Sequence, residues 1–181
     1  MRGIVRIAAL ALSLAVLLPA ATLQKLSLAE MAQKSTAIVR ARVLDSYAAQ
    51  HGSIIYTHYR LQVAEWWKGS GGEALDIVTP GGALGAARQV FAGSPQLVPG
   101  AEHVLFLWTG SNGLTQIVGL TQGLFKLSRD ANGQVVATRE ASGATMLDPA
   151  TGRAVGDEAA SYRVGDLRQR VGAALATGGA K

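Results

Sequence analysis

The sequence predicts a mainly β protein that carries a short N-terminal helix and a C-terminal helix. Apolar and polar residues alternate with a period of two, and short candidate strands follow one another at intervals of roughly 10 to 15 residues with turn signals between them. The chain has 181 residues, of which 22 are glycine, and strongly bent strands use glycine where a side chain would clash. A β-sandwich or a small barrel therefore fits the pattern.

The first 21 residues have the order of a secretory signal peptide. Arg2 and Arg6 precede an apolar run of about 12 residues, and Pro19-Ala20-Ala21 supplies small residues at its end. The run is shorter than the roughly 20 residues that cross a bilayer as a helix. We therefore expect a leader at 1–21 and a periplasmic or secreted mature chain with no membrane span. An uncleaved anchor is the alternative, because Pro19 is a poor residue near a cleavage site.

The composition excludes several classes of partner and chemistry. The chain contains no cysteine, which excludes disulfides, thiol nucleophiles, thiolate metal ligands and a lipid anchor. Its formal net charge is +5, and loss of Arg2 and Arg6 with the leader lowers it to about +3. Because the remaining basic residues are scattered along the chain, we do not expect a nucleic-acid partner.

A helix is predicted at the start of the mature chain. Ser27 and Glu30 have the Ser-x-x-Glu spacing of a capping box, and Leu26 and Met31 stand at the positions of a hydrophobic staple. The apolar stripe that follows is narrow. We therefore expect a short helix that lies on a larger body.

From residue 37 onward, the period of two predicts strands. The first alternation covers 37–44 and places Ile38, Arg40 and Arg42 on its water-facing side, and the second covers 57–64 and leads to Trp66-Trp67-Lys68. Shorter candidate strands lie at 74–79, 88–91, 103–108, 115–120, 123–128 and 134–138. The run at 104–108 is apolar at every position, which predicts a central strand that is buried on both faces.

The C-terminal part of the chain has a weaker pattern. Residues 141–160 show no periodicity, and we expect an irregular loop there rather than a second domain. Leu167, Val171 and Leu175 then recur at helical spacing, which predicts a closing helix capped by Asp166. The predicted organisation is a leader at 1–21, a β domain at 22–140 and a segment at 141–181 whose helix packs on the same domain.

Four segments occur in an order that points to a family. They are 34–39, Trp67-Lys68-Gly69, Val78-Thr79-Pro80-Gly81-Gly82 and 99–107. Together they resemble the tissue-inhibitor-of-metalloproteinases/netrin-like OB-fold domains of secreted bacterial proteins. Residues 118–125 are similar to an uncharacterised branch of that group, which occurs alone or ahead of matrixin-type metalloproteases.

The resemblance implies a small OB-like Greek-key barrel of five strands with added strands. It also implies an extracellular protease or another envelope protein as the partner. The animal inhibitors chelate the zinc of the protease through an N-terminal cysteine, which this chain lacks. We therefore do not expect inhibition by that route, and the likeness is a fold-level analogy.

No catalytic set stands out in the sequence. His51, His58 and His103 lack the close spacing that is typical of zinc ligands, and we expect them at the surface. The acidic residues flank strands and turns singly, so no pair is indicated for hydrolysis. We therefore expect no catalytic residues, no bound metal and no cofactor, and a hydrolase is the least favoured class.

Two features are candidates for binding. The backbone N–H groups of the Gly81-Gly82 loop could cradle an anion or let a ligand approach closely, and a wide turn at a sheet corner is the alternative. Trp66 and Trp67 point to opposite faces of a continuous strand, so only one indole enters the core. The other is a candidate aromatic platform together with Trp108 or Tyr56, and core filling with one tryptophan at the rim is the alternative.

These features support two hypotheses from different classes. The first is a non-enzymatic, secreted or periplasmic module that recognises a protein partner. The second is a module that binds carbohydrate or a cell-envelope polymer through exposed tryptophan and arginine side chains. The candidate binding residues are Trp66, Trp67, Lys68, Gly81, Gly82, Arg40, Arg42 and Arg60.

Overall fold

The computed structural model describes residues 22–142 and 144–178. The predicted leader at 1–21 lies outside these residues. The secondary structure within them is, in chain order, β1 (Thr22–Gln24), α1 (Leu28–Lys34), β2 (Ala37–His51), β3 (Ile54–Lys68), β4 (Ala74–Pro80), β5 (Gly82–Leu84), β6 (Ala87–Gln89), β7 (Glu102–Thr109), β8 (Thr115–Ile117), β9 (Leu124–Arg129), β10 (Val135–Arg139), β11 (Thr145–Leu147), β12 (Ala154–Val155), β13 (Ala160–Arg163) and α2 (Val164–Gly178).

Five strands pair in a closed ring. β2 pairs with β3 and β7, β3 pairs with β4, and β8 joins β4 to β7. The β4–β8 pairing is parallel and consists of a single residue pair, Val78 with Gln116. Beyond β7, the sheet continues through β9, β10 and β13. The mainly β class predicted from the sequence is confirmed.

The ring and its extension bury two apolar cores. The inner core takes side chains from all five ring strands, and the outer core lies between the extended sheet and the two helices. Along β7, Leu105 and Leu107 enter the inner core, whereas Val104 and Phe106 enter the outer core. The strand is thus buried on both faces, as its unbroken apolar run predicts.

The capping box of α1 is confirmed. The Ser27 N–H donates to Glu30 Oε2 at 2.8 Å, and the Glu30 N–H donates to Ser27 Oγ at 3.2 Å. These reciprocal bonds satisfy backbone groups that the first turn of a helix leaves unpaired. Met31 and Ala32 are buried, so the short helix is held by its contact with the outer core.

The C-terminal helix α2 also packs on the outer core. Leu167 and Val171 are buried there, as the helical spacing predicts. The prediction that Asp166 caps the helix is wrong, because the helix begins at Val164 and Asp166 lies in its first turn. No helix among residues 22–142 and 144–178 is long and apolar enough to cross a bilayer.

The segment before α2 differs from the expected irregular loop. It contains β11 and β12, and β13 begins at its end. β11 pairs in parallel with β1, while β13 pairs with β10. The sequence does not show these strands, because two- to four-residue strands are too short to display a period.

β2 and β3 form a long antiparallel ribbon with three register shifts. At the first shift, Ile38 lies opposite Lys68 and Val39 lies opposite Trp66, so Trp67 is the extra residue of a bulge. Ile38 and Val39 point to opposite faces of β2, as successive residues of a strand do, and the outer core covers the face that holds Ile38. The simple alternation wrongly predicts that Ile38 faces water.

Candidate functional site

The two adjacent tryptophans are both used for packing. The indole of Trp66 packs against the inner core, and the indole of Trp67 packs against the outer core. Both side chains are half-buried. Neither indole forms the exposed platform expected from the sequence, because the outer core covers the face of β3 that holds Trp67. Trp108, by contrast, is exposed.

Lys68 stabilises a helix end. Its ammonium group donates to the backbone carbonyls of Ala32 and Gln33 at 2.8 and 3.0 Å, which are among the carbonyls that the last turn of α1 leaves unpaired. Burial lowers the pKa of Lys68. The interaction indicates a structural role for Lys68, whereas the sequence made it a candidate for binding.

Arg40 and Arg42 belong to an ionic cluster with Glu65, Glu102 and Arg168. Arg40 reaches Glu65 at 3.0 Å and Glu102 at 3.5 Å, Arg42 reaches Glu102 at 2.8 Å, and Arg168 of α2 reaches Glu65 at 3.0 Å. Burial opposes ionisation of Glu65, yet hydrogen bonds from Trp67 and Arg40 hold the pKa of this carboxyl below its ordinary value. The cluster therefore ties α2 to the ring strands.

Arg60 is also paired. Its guanidinium makes two hydrogen bonds to the carboxylate of Asp45, which lower the pKa of Asp45 and raise the pKa of Arg60. Nearby, the ring of Tyr47 stacks on His58 with 4.7 Å between centroids, and His58 Nδ1 lies 2.8 Å from Asp76 Oδ1. The three arginines predicted to bind a ligand thus all have acidic partners within the chain.

Gly81 and Gly82 mark the passage from β4 to the β5–β6 hairpin. The Gly81 N–H donates to the carbonyl of Ile55 at 2.8 Å, and Thr57 Oγ1 donates to the carbonyl of Gly81 at 2.8 Å. Gly82 has φ +145°, and a Cβ on it would lie 2.8 Å from Thr57 Oγ1. Glycine is therefore required for the close approach of the hairpin to β3, and the Gly81 N–H is not free to hold an anion.

Both glycines line a cavity at one end of the ring, which we call the mouth cavity. Its volume is about 450 Å³, and Thr57, Tyr59 and Thr79 contribute to its wall from β3 and β4. The hairpin and residues 90–97 form the other side. The structure thus brings two of the predicted binding residues to a cavity, while the other six lie in the packing and ion-pair contacts described above.

The hairpin and the following loop are fixed over this cavity by side-chain hydrogen bonds. The amide group of Gln89 accepts from the Ile55 N–H at 2.7 Å and donates to the Ser53 carbonyl at 2.9 Å. Ser94 Oγ donates to the Pro80 carbonyl at 2.6 Å. Because these bonds connect the loop to β3 and β4, the wall of the cavity is preformed.

Large apolar side chains remain exposed beside the mouth cavity. Leu84 is 40% exposed, Val90 is 77% exposed and Phe91 is 39% exposed. Val90 and Phe91 line the cavity themselves, and Leu84 follows the lining residue Ala83. The sequence predicts a strand at 88–91, whereas β6 ends at Gln89. The sequence signal for this surface is an apolar pair that stands one residue before a Gly-Ser-Pro turn.

A second cavity, which we call the His103 cavity, has a volume of about 320 Å³. His103 and Lys126 line it from the neighbouring strands β7 and β9, and Glu140 lines it after β10. The expectation that His103 lies at the surface is wrong, because only 5% of it is exposed. Burial, with a smaller contribution from Lys126, lowers the pKa of His103 to about 4.

The histidines do not form a common site. His51 ends β2 and is exposed, His58 contacts Asp76, and His103 is buried in β7. Within the described part of the chain, no three His, Asp or Glu side chains converge as metal ligands.

No family model matches the chain, and no curated protein matches it either. The family resemblance stays a prediction.

Proposed function

We propose that this protein is a secreted or periplasmic, non-enzymatic binding module that recognises a protein partner at the mouth cavity. The observation that carries the proposal is the set of exposed apolar side chains, Leu84, Val90 and Phe91, beside a preformed cavity. Exposed apolar residues grouped in this way are typical of protein interaction sites. The export of the chain is supported by the order of charged, apolar and small residues at 1–21.

The chemistry of the cavity specifies the partner segment. Arg88 lines the cavity, is exposed and has no ion pair among the residues that the structure describes. The wall also offers hydroxyl groups of Thr57 and Thr79. These groups fit an extended segment that carries an apolar side chain next to an acidic one. The apolar side chain would fill the cavity, and the acidic side chain would form an ion pair with Arg88.

The strand pairings support an OB-like barrel as the fold of this module. Five strands close into a ring, and the β4–β8 junction has only one residue pair, which fits the partly open five-stranded barrel of OB folds. In that fold family, the netrin-like likeness favours an extracellular protease as the partner. Because the chain has no cysteine, recognition would not use the zinc-chelating terminus of the animal inhibitors.

The proposal is tested by capture followed by variant analysis. The mature chain is immobilised and exposed to periplasmic extract and culture supernatant, and proteins retained by the wild type are measured again with Val90→Ser and Arg88→Glu. We expect both variants to weaken binding of the specific partner at least about tenfold, because each removes a central contact. Val98→Ser is the matched control, since Val98 is equally apolar and 66% exposed but does not line the cavity.

Two results would overturn this function. One is the absence of any protein enriched over a column without the protein. The other is a partner whose affinity is unchanged by Val90→Ser and Arg88→Glu, because that partner would bind elsewhere on the surface.

A further inference from the structure

We propose that the His103 cavity is a second binding site, which takes a small hydroxy acid of the size of a sugar acid. This site is separate from protein recognition at the mouth cavity. The buried imidazole of His103 and the ammonium group of Lys126 both line this cavity, whose volume suits a small molecule.

The imidazole is buried without partners. His103 is 5% exposed, and neither of its ring nitrogens has a hydrogen-bond partner among residues 22–142 and 144–178. The backbone of Phe125 is close enough to affect the imidazole but does not meet hydrogen-bond geometry. A buried polar group without a partner destabilises the fold, so a ligand that supplies partners would be bound with a favourable free energy.

The protonation state of the imidazole determines what the ligand must offer. Because burial lowers the pKa of His103 to about 4, the ring is neutral at pH 7. A neutral imidazole has one N–H donor and one acceptor nitrogen. A hydroxyl group can serve either nitrogen, since it both donates and accepts. The ligand is therefore expected to carry hydroxyl groups.

Lys126 adds the requirement for a negative charge. It lies directly opposite His103 in the β7–β9 ladder, so both side chains project from the same face of the sheet. Lys126 has no ion pair within the described residues. A carboxylate on the ligand would supply one, and charge-assisted hydrogen bonds of this kind are stronger than neutral ones.

The volume of the His103 cavity and a carboxylate that lines it further restrict the class of ligand. A volume of about 320 Å³ is at the lower end of the range for small-molecule sites. The exposed carboxylate of Glu140 also lines the cavity, and it would repel a ligand with two negative charges more than one with a single charge. These features favour a monocarboxylate with several hydroxyl groups over inorganic phosphate.

The test uses nuclear magnetic resonance of the imidazole nitrogens in the mature chain. His103→Leu identifies the His103 signals among those of the three histidines. Glucuronate is the probe, glucose is its counterpart without the charge, and inorganic phosphate is the competing anion. We expect glucuronate to shift the His103 signals saturably, and glucose and phosphate to do so only at concentrations about tenfold higher.

Two variants separate a specific site from a general charge effect. Lys126→Gln is expected to weaken glucuronate binding about tenfold while leaving the response to glucose unchanged. Lys34→Gln, which removes an exposed lysine of α1, is the matched control and is expected to bind like the wild type. The proposal is overturned if the His103 signals do not move with glucuronate, or if the two lysine variants weaken its binding equally. Because no protein partner is present, failure here leaves the function proposed for the mouth cavity intact.

Discussion

The ionic cluster and the edge of the mouth cavity differ in how their side chains are used. In the cluster, Arg40 and Arg42 are held by glutamates that also bind other elements of the fold. Beside the mouth cavity, Val90 and Phe91 remain exposed although they are apolar. The charged side chains of the first region form ion pairs within the fold. The second region leaves apolar side chains in contact with water, which does not stabilise the fold.

This difference shows why residue type is a weak guide to a binding site. Arginine and tryptophan are common in binding sites, but here Arg40 and Arg42 form ion pairs, and the Trp66-Trp67 pair packs against the two cores. Valine and phenylalanine next to a glycine-rich turn attract less notice, yet their exposure is harder to explain by stability. Exposed side chains without a partner in the fold therefore indicate the candidate binding site better than residue type does.

The largest expected effect concerns His103, which is buried and, unlike the side chains of the ionic cluster, has no hydrogen-bond partner among the described residues. Its pKa is about 4 in the folded protein and about 6.5 when unfolded, so the unfolded chain binds more protons between these values. The part of the free energy of unfolding that depends on His103 is therefore fully present above pH 6.5. It is lost as the pH decreases towards 4, and the loss is about 3 kcal/mol. Denaturant unfolding of the wild type and of His103→Leu at several pH values measures this difference.

His103→Leu is expected to lack that part of the pH dependence and to be at least as stable as the wild type at pH 7. Replacing an unpartnered imidazole by an apolar group of similar size removes a desolvation cost. His51→Gln, at an exposed position, is the control. If the wild type and His103→Leu lost stability in parallel between pH 6.5 and 4, the neutral, buried state of His103 would be refuted.

The next largest effect is expected at Gly82, where the hairpin of the mouth cavity meets β3. Gly82→Ala would place a Cβ 2.8 Å from Thr57 Oγ1 at φ +145°, and we expect a loss of about 2 kcal/mol in the free energy of unfolding. Gly72→Ala is the control, because a Cβ at Gly72 meets nothing within 4 Å and its φ is not positive. Equal effects of the two changes would contradict the close contact between hairpin and strand.

The sequence predicts local features of this fold better than long-range ones. Ser27 and Glu30 satisfy each other within one turn, so their spacing alone identifies the capping box. The burial of β7 follows from its own apolar run. The burial of His103 does not, because it depends on strands that come from distant parts of the chain and lie beside it in the sheet.

The same limit explains why the sequence does not show the intramolecular partners of the candidate binding residues. The pairing of Arg40 with Glu65 and Glu102 joins residues 25 and 62 positions apart, and no local spacing reveals it. The position of Trp67 depends on a register shift against β2. Glycine at 81 and 82 indicates a special backbone requirement from the sequence alone, and the structure shows this requirement as the close contact of the hairpin with β3.

A smaller effect is expected in the ionic cluster. Glu65→Gln weakens the ion pairs with Arg40 and Arg168, and we expect a loss of about 1 kcal/mol that decreases as salt is added. Glu73→Gln changes an exposed glutamate that has no ion pair within the described residues, and it is expected to be nearly neutral. Thermal unfolding at low and high salt separates the two variants. A salt-independent loss for Glu65→Gln would show that packing, not charge, dominates at this position.

The smallest effect on stability is expected for Val90→Ser, although this change is expected to weaken partner binding. Val90 is 77% exposed, so Val90→Ser removes little buried apolar surface, and we expect its free energy of unfolding to stay within about 0.5 kcal/mol of the wild type. Denaturant unfolding of Val90→Ser beside Val98→Ser measures this directly. A loss of partner binding in Val90→Ser with unchanged unfolding would show that the exposed valine serves recognition. A loss of stability well above that range would instead place Val90 with the ionic cluster, among the side chains that the fold itself requires.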